Sequence, residues 1–332
     1  VDRAGCEVER GTDRLDRRAT VRGAARRRQG RARAERGGEG LVHRAGDGAD
    51  VPEGAQAVSL TGEPLFSPAP SQGALDRLES ARMDYEADTG SPDKLIWYGR
   101  RAAYVGDYRL AIELFSTGID NWPDDPRFYR HRGHRYISIR EFDRAIADLE
   151  KASELIAGTE NETEPDGLPN ALNIPISSLH GNIWYHLGLA YYLVQDWDNA
   201  HRAYLNGFNA GRNDDNRVST SHWLYMIQCR KGDMESAAAV TENISADMNV
   251  IENMSYHNLG LFYQGEISLD VLLGGDDGTS AGAAVLYGAA NWHYCDGQAD
   301  KANEMLRGML ESPGWASFGY IAAEADLATR DQ

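Results

Sequence analysis

Residues 182–208 read NIWYHLGLAYYLVQDWDNAHRAYLNGF, and their pattern decides the fold of this chain. Apolar residues recur every three or four positions on both sides of the turn Val194-Gln195-Asp196, which is typical of two amphipathic helices. Gly188 on the first helix and Ala200 on the second are small enough for the helices to approach closely. The stretch therefore predicts a tight helix–turn–helix hairpin.

The hairpin pattern repeats along the chain. Residues 95–123 (LIWYGRRAAYVGDYRLAIELFSTGIDNWP) and 129–152 (YRHRGHRYISIREFDRAIADLEKA) align with an offset of 34 residues, so that Gly99 matches Gly133. Later units keep parts of the same register. Since one hairpin cannot bury its own apolar face, the units are expected to stack into a continuous array.

The repeated residues resemble a known family. The motif W-x2-L-G-x2-Y is complete at Trp184, Leu187, Gly188 and Tyr191, and Pro123 closes the first unit. In these features the chain is similar to the tetratricopeptide repeat (TPR) family over about residues 92–328. The resemblance implies an all-α fold, a right-handed superhelical solenoid of TPR-like helix–turn–helix repeats. It also implies a non-catalytic scaffold or adaptor that binds a peptide or protein segment in its concave groove.

Composition divides the chain into three parts. Residues 1–58 are predicted to be a disordered segment rich in Arg, Gly and Ala, residues 59–71 a linker, and residues 72–328 the solenoid. A helix is expected from about Gln72 to Asp88. Within the solenoid we predict units at about 92–125, 126–157, 181–212, 218–250, 251–273 and 283–314.

The first 50 residues contain no aromatic side chain, so they cannot bury enough surface to offset the entropy lost on ordering. Besides disorder, two interpretations stay open: a basic RNA-binding tail, or sequence that is not native. Ala55-Gln56-Ala57 has the A-x-A form of a signal-peptidase site without an apolar segment before it. If the N-terminus is not native, the hypothesis is an exported or periplasmic protein; otherwise it is cytoplasmic.

The net charge of −17 is unevenly distributed. Residues 1–50 hold 13 Arg against 9 acidic residues, whereas the other 282 residues hold 21 Lys and Arg against 42 acidic residues. A strongly acidic folded part disfavours nucleic acid and an anionic membrane surface as partners, because both require positive charge.

Three cysteines, Cys6, Cys229 and Cys295, show no clustered spacing. This spacing predicts neither a disulfide framework nor a structural zinc site. Cys229 and Cys295 stand among apolar residues, so we expect buried thiols there, and we expect no cofactor.

The first helices of the units carry the candidate ligand-binding residues. By the resemblance, these helices line the concave face, and helical spacing places several cationic, aromatic and polar residues on one stripe. An arginine binds a carboxylate through two hydrogen bonds, and a tyrosine offers contact area at low entropic cost. The predicted partner is a protein or peptide with a carboxylate or acidic groups. The predicted groove residues are Arg100, Tyr104, Arg127, Arg130, His134, Asn182, Tyr185, Tyr192 and His222.

Two other interpretations concern these helices. The arginines also fit a purely structural role, in which they neutralise acids such as Asp124, Asp125 and Glu141. Chaperone-tail-binding members of the family hold a terminal carboxylate with a Lys/Asn clamp. This chain has Ile96, Arg100 and His131 at the corresponding places, so that ligand is disfavoured.

A different functional class is a metal-assisted hydrolase that uses the groove histidines. His131 and His134 are three residues apart on one predicted helix, which can bring two imidazoles near one ion. The chain contains no H-E-x-x-H motif, and no carboxylate is fixed at ligand spacing beside the pair. This class is the alternative to the scaffold.

A long insertion separates the second and third units. Its acidic part, around 159–166, is interpreted as a solvated loop, and its length makes it the first candidate for a lid or a partner contact.

Overall fold

The computed structural model describes residues 51–274 and 280–330, and within them almost every regular element is a helix. Of the segment 1–58 predicted to be disordered, residues 1–50 lie outside the described residues. None of the helices described is long and apolar enough to cross a membrane. The elements are β1 (Ala57–Val58), β2 (Pro64–Leu65), α1 (Gln72–Glu86), α2 (Pro92–Tyr104), α3 (Tyr108–Asn121), α4 (Pro126–Ser138), α5 (Phe142–Leu155), α6 (Leu179–Leu193), α7 (Trp197–Ala210), α8 (Asp214–Arg230), α9 (Met234–Thr241), α10 (Met254–Tyr263), α11 (Leu269–Leu273), α12 (Ser280–Cys295), α13 (Ala299–Leu310) and α14 (Phe318–Arg330).

Helices α2 to α13 form six consecutive pairs, and neighbouring pairs pack on one another. The prediction of an all-α solenoid of helix hairpins is therefore confirmed. Helix α1 precedes the array at the position expected from the sequence and packs on α2.

The turn within each pair contains one residue in the left-handed region. Four of the six residues are glycines, such as Gly106 with φ 83°. The other two are Arg140 (φ 67°) and Gln195 (φ 59°), conformations that ordinary side chains adopt only at a cost. The backbone thus holds two long polar side chains at fixed points of the array.

Close packing within a hairpin depends on the small residues that the sequence singled out. A Cβ atom built on Gly188 would lie 2.6 Å from the ring of Tyr204, and one on Gly99 would lie 2.4 Å from Phe115. Tyr204 and Phe115 are both buried. The predicted close approach of the two helices at these glycines is confirmed in these units.

The segment before α1 differs from the predicted linker. Strands β1 and β2 pair antiparallel, and Ala57 and Leu65 are buried in the main hydrophobic core. The Gln56 side chain accepts hydrogen bonds from the backbone N–H groups of Tyr108 (2.9 Å) and Arg109 (3.2 Å) at the start of α3. The linker interpretation of 59–71 and the disorder predicted for 51–58 are corrected for this hairpin, because contacts distant in sequence order it.

Helix α14 lies against the concave face and does not merely cap the array's end. Its residues from Gly319 to Leu327 are all buried. Glu324 pairs with Arg140 after α4 (2.6 Å), and Asp326 pairs with Arg230 at the end of α8 (2.8 Å). The concave groove is therefore partly filled by the chain's own C-terminal helix.

Cys229 and Cys295 form a disulfide, with their Cα atoms 6.0 Å apart. The expectation of buried free thiols is corrected. A separation of 66 residues gave no recognisable spacing, and only the packing of α8 on α12 brings the two side chains together. The bond joins two first helices of different units.

Candidate functional site

A cavity of about 360 Å³ opens on the concave face between the first helices of units two to five. Four of the predicted groove residues line it: Arg130 and His134 from α4, and Asn182 and Tyr185 from α6. We call this cavity the concave pocket. The register of the repeat thus assigned these four side chains to one place.

Arg130 is the cationic side chain at one end of the concave pocket. Its Nη2 lies 3.1 Å from a carboxylate oxygen of Glu164, and its Nη1 donates to Nδ1 of His131 at 2.7 Å. Its Nε is buried and has no hydrogen-bond partner. Burial lowers the pKa of Arg130, and Glu164 opposes that effect. The guanidinium is therefore only partly satisfied.

Glu164 belongs to the insertion between α5 and α6, which was interpreted as a solvated loop. It is buried, and Asn182 Nδ2 also donates to its carboxylate. The backbone N–H of Glu164 donates to the Ser177 carbonyl at 3.0 Å, and Thr163 bridges Ser178, so the insertion folds back on itself. The solvated interpretation is corrected for Glu164.

His134 contributes an uncharged ring to the concave pocket. Its ring centroid lies 4.2 Å from that of His186 and 5.2 Å from that of Phe318. Burial lowers the pKa of His134 well below its ordinary value, and the nearby Arg135 and His186 lower it further. The pKa of His186 is likewise held well below its ordinary value by burial. Both rings are neutral at physiological pH and act as packing surfaces.

Tyr185 joins the concave pocket to the core beneath it. Its hydroxyl accepts a hydrogen bond from Trp223 Nε1 at 2.9 Å and lies 2.9 Å from the hydroxyl of Tyr256. Burial raises the pKa of Tyr185 well above its ordinary value. These bonds fix the ring in position.

Five predicted groove residues lie outside the concave pocket, and three of them are buried or paired elsewhere. Tyr192 is buried in the main core, where its hydroxyl lies 2.7 Å from that of Tyr287. His222 is buried beside Tyr263, whose hydroxyl lies 3.1 Å from the His222 Nδ1. Arg127 pairs with Asp125 (2.6 Å) and Asp93 (2.5 Å), which is the structural role left open above.

For these three residues the structure corrects the prediction of a groove-lining position. Helices of the later units and α14 cover Tyr192 and His222, and repeat register alone gives no information about that cover. Arg127 is in the first turn of α4, where the carboxylate of the N-cap residue Asp125 pairs with it.

Arg100 and Tyr104 lie beside the concave pocket on α2 and do not line it. Arg100 Nη2 donates to the Tyr104 hydroxyl at 3.3 Å, and its guanidinium lies 4.4 Å from the ring centroid of Trp97. With Arg101, Arg130 and Arg135 it forms a group on α2 and α4 that we call the arginine strip.

Arg135 is the least compensated member of the arginine strip. Its guanidinium lies 5.3 Å from the ring centroid of Tyr108, and no ion pair joins it to a carboxylate in the part of the chain that the structure describes. Burial lowers the pKa of Arg135 to about 10, and the neighbouring Arg130 and Arg100 act in the same direction. Tyr108 and Tyr104 act in the opposite direction and raise it. Arg135 therefore has aromatic neighbours in place of a carboxylate partner.

Several pocket residues were missed by the sequence analysis. Asn216, Ser219 and Thr220 come from α8, Tyr256 from α10 and Phe318 from α14. The later units are degenerate, so their register gave little guidance. Phe318 carries no signal in the sequence, because only the return of α14 to the concave face brings it there.

The histidine pair expected for a metal site is separated by its packing. His131 stacks on Phe115 with centroids 5.2 Å apart, whereas His134 packs at an angle against His186 and Phe318. Among residues 51–274 and 280–330, no group of three His, Cys, Asp or Glu side chains is arranged to hold a metal ion.

The helix pairs, their 34-residue offset and the contact of glycine with an aromatic ring give the chain a solenoid fold of the tetratricopeptide type. No protein-family model matches the chain. The heat-shock protein cognate co-chaperone sgt12 of Aspergillus fumigatus is 23% identical over 154 residues, 46% of this chain. The chain spans 39% of the length of that relative.

Solved structures of similar fold are themselves repeat proteins. A tetratricopeptide repeat protein of Parabacteroides merdae is 11% identical with a TM-score of 0.45, over 75% of this chain and 92% of that one. YrrB, a TPR protein with an unusual peptide-binding site, is 15% identical with a TM-score of 0.41, over 70% and 92%. MamA of Desulfovibrio magneticus RS-1 is 18% identical with a TM-score of 0.39, over 51% and 82%. These likenesses concern the fold alone.

Proposed function

We propose that this protein is a non-catalytic interaction scaffold. It binds an acidic segment of a partner protein on its concave face, at the arginine strip and the adjoining concave pocket. The proposal is supported by the fold, in which the first helices of units two to five border an open pocket.

The observation that carries the proposal is the incomplete pairing of two arginines on this face. Arg130 keeps a buried Nε without a partner, and Arg135 has a tyrosine ring but no ion pair among the described residues. A buried charge without a counter-charge is costly, and a partner carboxylate would remove that cost. Arginine is also the side chain best suited to bind carboxylates through paired hydrogen bonds.

The remaining pocket walls suit a peptide. Tyr185 and Phe318 offer flat contact area, and Asn182 and Asn216 offer amide groups for a peptide backbone. A volume of about 360 Å³ is at the lower end for ligand pockets, so a short stretch of the partner enters it. Helix α14 occupies the groove beyond Phe318, so a long helix does not fit along the whole face.

The hydrolase alternative gains no support from the site. Metal-assisted hydrolysis requires several ligands around one ion, and His131 and His134 face different neighbours. Burial lowers the pKa of both histidines well below the usual value. A general base works best with a pKa near the operating pH, so neither ring is suited to that role.

The test is a binding assay with charge-reversed variants. Labelled peptides rich in Asp and Glu are titrated with the full chain and followed by fluorescence anisotropy, with neutral peptides of the same length beside them. We expect binding of acidic peptides only, and we expect Arg100→Glu with Arg130→Glu to abolish it while the far-UV circular dichroism stays unchanged.

Lys151→Glu with Lys301→Glu is the matched control, because both lysines are exposed and the net charge changes equally. This control should keep peptide binding. Equal binding of acidic and neutral peptides, or equal loss in both double variants, would contradict the proposal.

A further inference from the structure

The insertion between α5 and α6 places its own acidic segment on the arginine strip. Residues 160–168 read ENETEPDGL. Glu164 contacts Arg130 at 3.1 Å and also receives the Asn182 amide. Two of the side chains predicted from sequence to bind an acidic partner are thus already in contact with a carboxylate of the same chain.

A further carboxylate of the segment, Asp166, lies within the electrostatic influence of Arg100. Asp166 is two residues after Glu164, and Arg100 is the cation that favours its charged form, whereas burial raises its pKa. The Oδ2 atom of Asp166 is buried and has no hydrogen-bond partner. Its carboxylate is therefore attracted to the strip without being fully bound by it.

The backbone of the segment is also recognised. Arg101 Nη1 donates to the Gly167 carbonyl at 3.0 Å. A Cβ atom at residue 167 would lie 1.9 Å from the Tyr104 hydroxyl, so only glycine permits this close approach. Pro165 between the two carboxylates has a fixed φ, which limits the shapes of the segment.

The remainder of the insertion is held mainly by hydrogen bonds, such as those of Asn213 Nδ2 to the Ile176 carbonyl (2.8 Å) and of Asn170 Nδ2 to Glu252 (2.5 Å). Leu168, Leu172 and Ile174 are exposed by 68%, 62% and 48%. Exposed apolar side chains contribute little burial to hold the insertion down. The contacts of Glu164 and Gly167 with the arginine strip act together with these bonds to position the segment.

From these contacts we infer that residues 160–168 are an internal ligand of the arginine strip, which an incoming acidic segment displaces. The inference rests on the proposed function and sharpens its partner. The partner segment presents two carboxylates at positions i and i+2, with a small residue directly after the second. In the free protein the internal copy shields the arginines and reduces the apparent affinity for any other acidic segment.

Competition of this kind has a measurable sign. When a binding site is free for only a fraction of the time, the apparent dissociation constant rises by the inverse of that fraction. Weakening the internal ligand should therefore tighten binding of an external one. A site that merely uses Glu164 for stability would show no such gain.

The experiment uses the full chain and a labelled synthetic peptide of sequence ENETEPDGL, followed by fluorescence anisotropy. We expect Glu164→Gln with Asp166→Asn to bind the peptide roughly tenfold more tightly than the unsubstituted chain. Adding Arg130→Ala to that variant should remove the gain. A peptide with Gln and Asn at the positions that correspond to Glu164 and Asp166 should not bind.

Two outcomes separate the inference from the proposed function. If the peptide binds both chains with equal affinity and still depends on Arg130, the internal ligand is refuted and the acidic-segment site stands. If no acidic peptide binds any variant, the proposed function fails and the inference fails with it.

Hydrogen exchange supplies a second measurement should the double variant fold poorly. In the unsubstituted chain, saturating peptide should speed exchange of the backbone amides in residues 159–178 and leave α14 unchanged. Unchanged exchange in 159–178 while the peptide is bound would overturn the displacement.

Discussion

Two acidic segments of the same chain cover the concave face, and they are attached in different ways. In the insertion, the side chains of Arg130 and Glu164 keep 12% and 11% of their surface exposed beside an open cavity. In α14, the side chains of Arg140 and Glu324 are 0% and 1% exposed, and apolar neighbours such as Ile321 are buried as well. Helix α14 is part of the hydrophobic core, whereas the insertion is a surface cover.

The difference shows that an ion pair takes its role from its surroundings. Where burial is complete, removing one partner leaves a charge that water cannot reach. Where a cavity adjoins the pair, water or a ligand takes the place of the missing partner. The same chemistry therefore fixes one segment and leaves the other exchangeable.

The largest expected effect is a difference in stability loss between variants of the Arg140–Glu324 and Arg130–Glu164 ion pairs. We expect Glu324→Gln to lower the free energy of unfolding by about 3–5 kcal/mol, because Arg140 is left buried without a counter-charge. Glu164→Gln should cost only about 1–2 kcal/mol, because Arg130 borders the concave pocket. Urea unfolding followed by circular dichroism measures both changes.

Glu154→Gln is the control for this pair of variants, since Glu154 is 70% exposed in its pair with Lys151. It should leave the unfolding midpoint unchanged, as exposed ion pairs contribute little. Equal losses for Glu324→Gln and Glu164→Gln would break the comparison between the two covers.

The disulfide gives the next effect, because it links the two helices that pack near α14. Arg230, the partner of Asp326, follows directly after Cys229, and α12 packs on α14. Replacing both cysteines by alanine should cost about 2–4 kcal/mol. Amide exchange should then accelerate in α14 and not in residues 159–178.

Mass spectrometry of the unreduced, alkylated protein is the check on that bond. Cys229 and Cys295 should resist alkylation until a reductant is added. Labelling of both thiols in the native, unreduced chain would contradict the disulfide. Disulfides persist in oxidising compartments, so the same measurement on natively expressed protein bears on the export hypothesis.

A smaller expected change in stability tests the packing within the helix pairs. Gly188→Ala should destabilise the protein by about 1–3 kcal/mol, because its Cβ would meet the Tyr204 ring. Gly308→Ala on α13 should instead stabilise it by about 0.5–1 kcal/mol, since nothing lies within 4 Å of a Cβ there and alanine favours the helix. Thermal unfolding of both variants measures the two signs.

If Gly188→Ala and Gly308→Ala both stabilised or both destabilised the protein, the different packing assigned to the two glycines would be contradicted. Opposite signs would show that glycine in the first helix of a unit is fixed by packing, while the glycine of α13 is not.

Only the part of the candidate site that α4 and α6 form was predictable from the sequence. Arg130, His134, Asn182 and Tyr185 were assigned together because the first three units keep a strict register. Tyr192 and His222 follow the same register, yet later helices cover them. A helical stripe states which side of a helix a residue occupies, and it carries no information about what lies opposite.

The sequence by itself determined the hairpins, their repeat and the glycine contacts, because these depend on residues within about one unit of each other. Tertiary structure alone decided that the insertion and α14 cover the concave face, that Cys229 and Cys295 form a disulfide, and that strands β1 and β2 are ordered. The backbone N–H of Leu60 donates to Glu324 across 264 residues, and Arg140 reaches Glu324 across 184. Contacts at such distances leave no periodic pattern, so only the folded array brings their partners together.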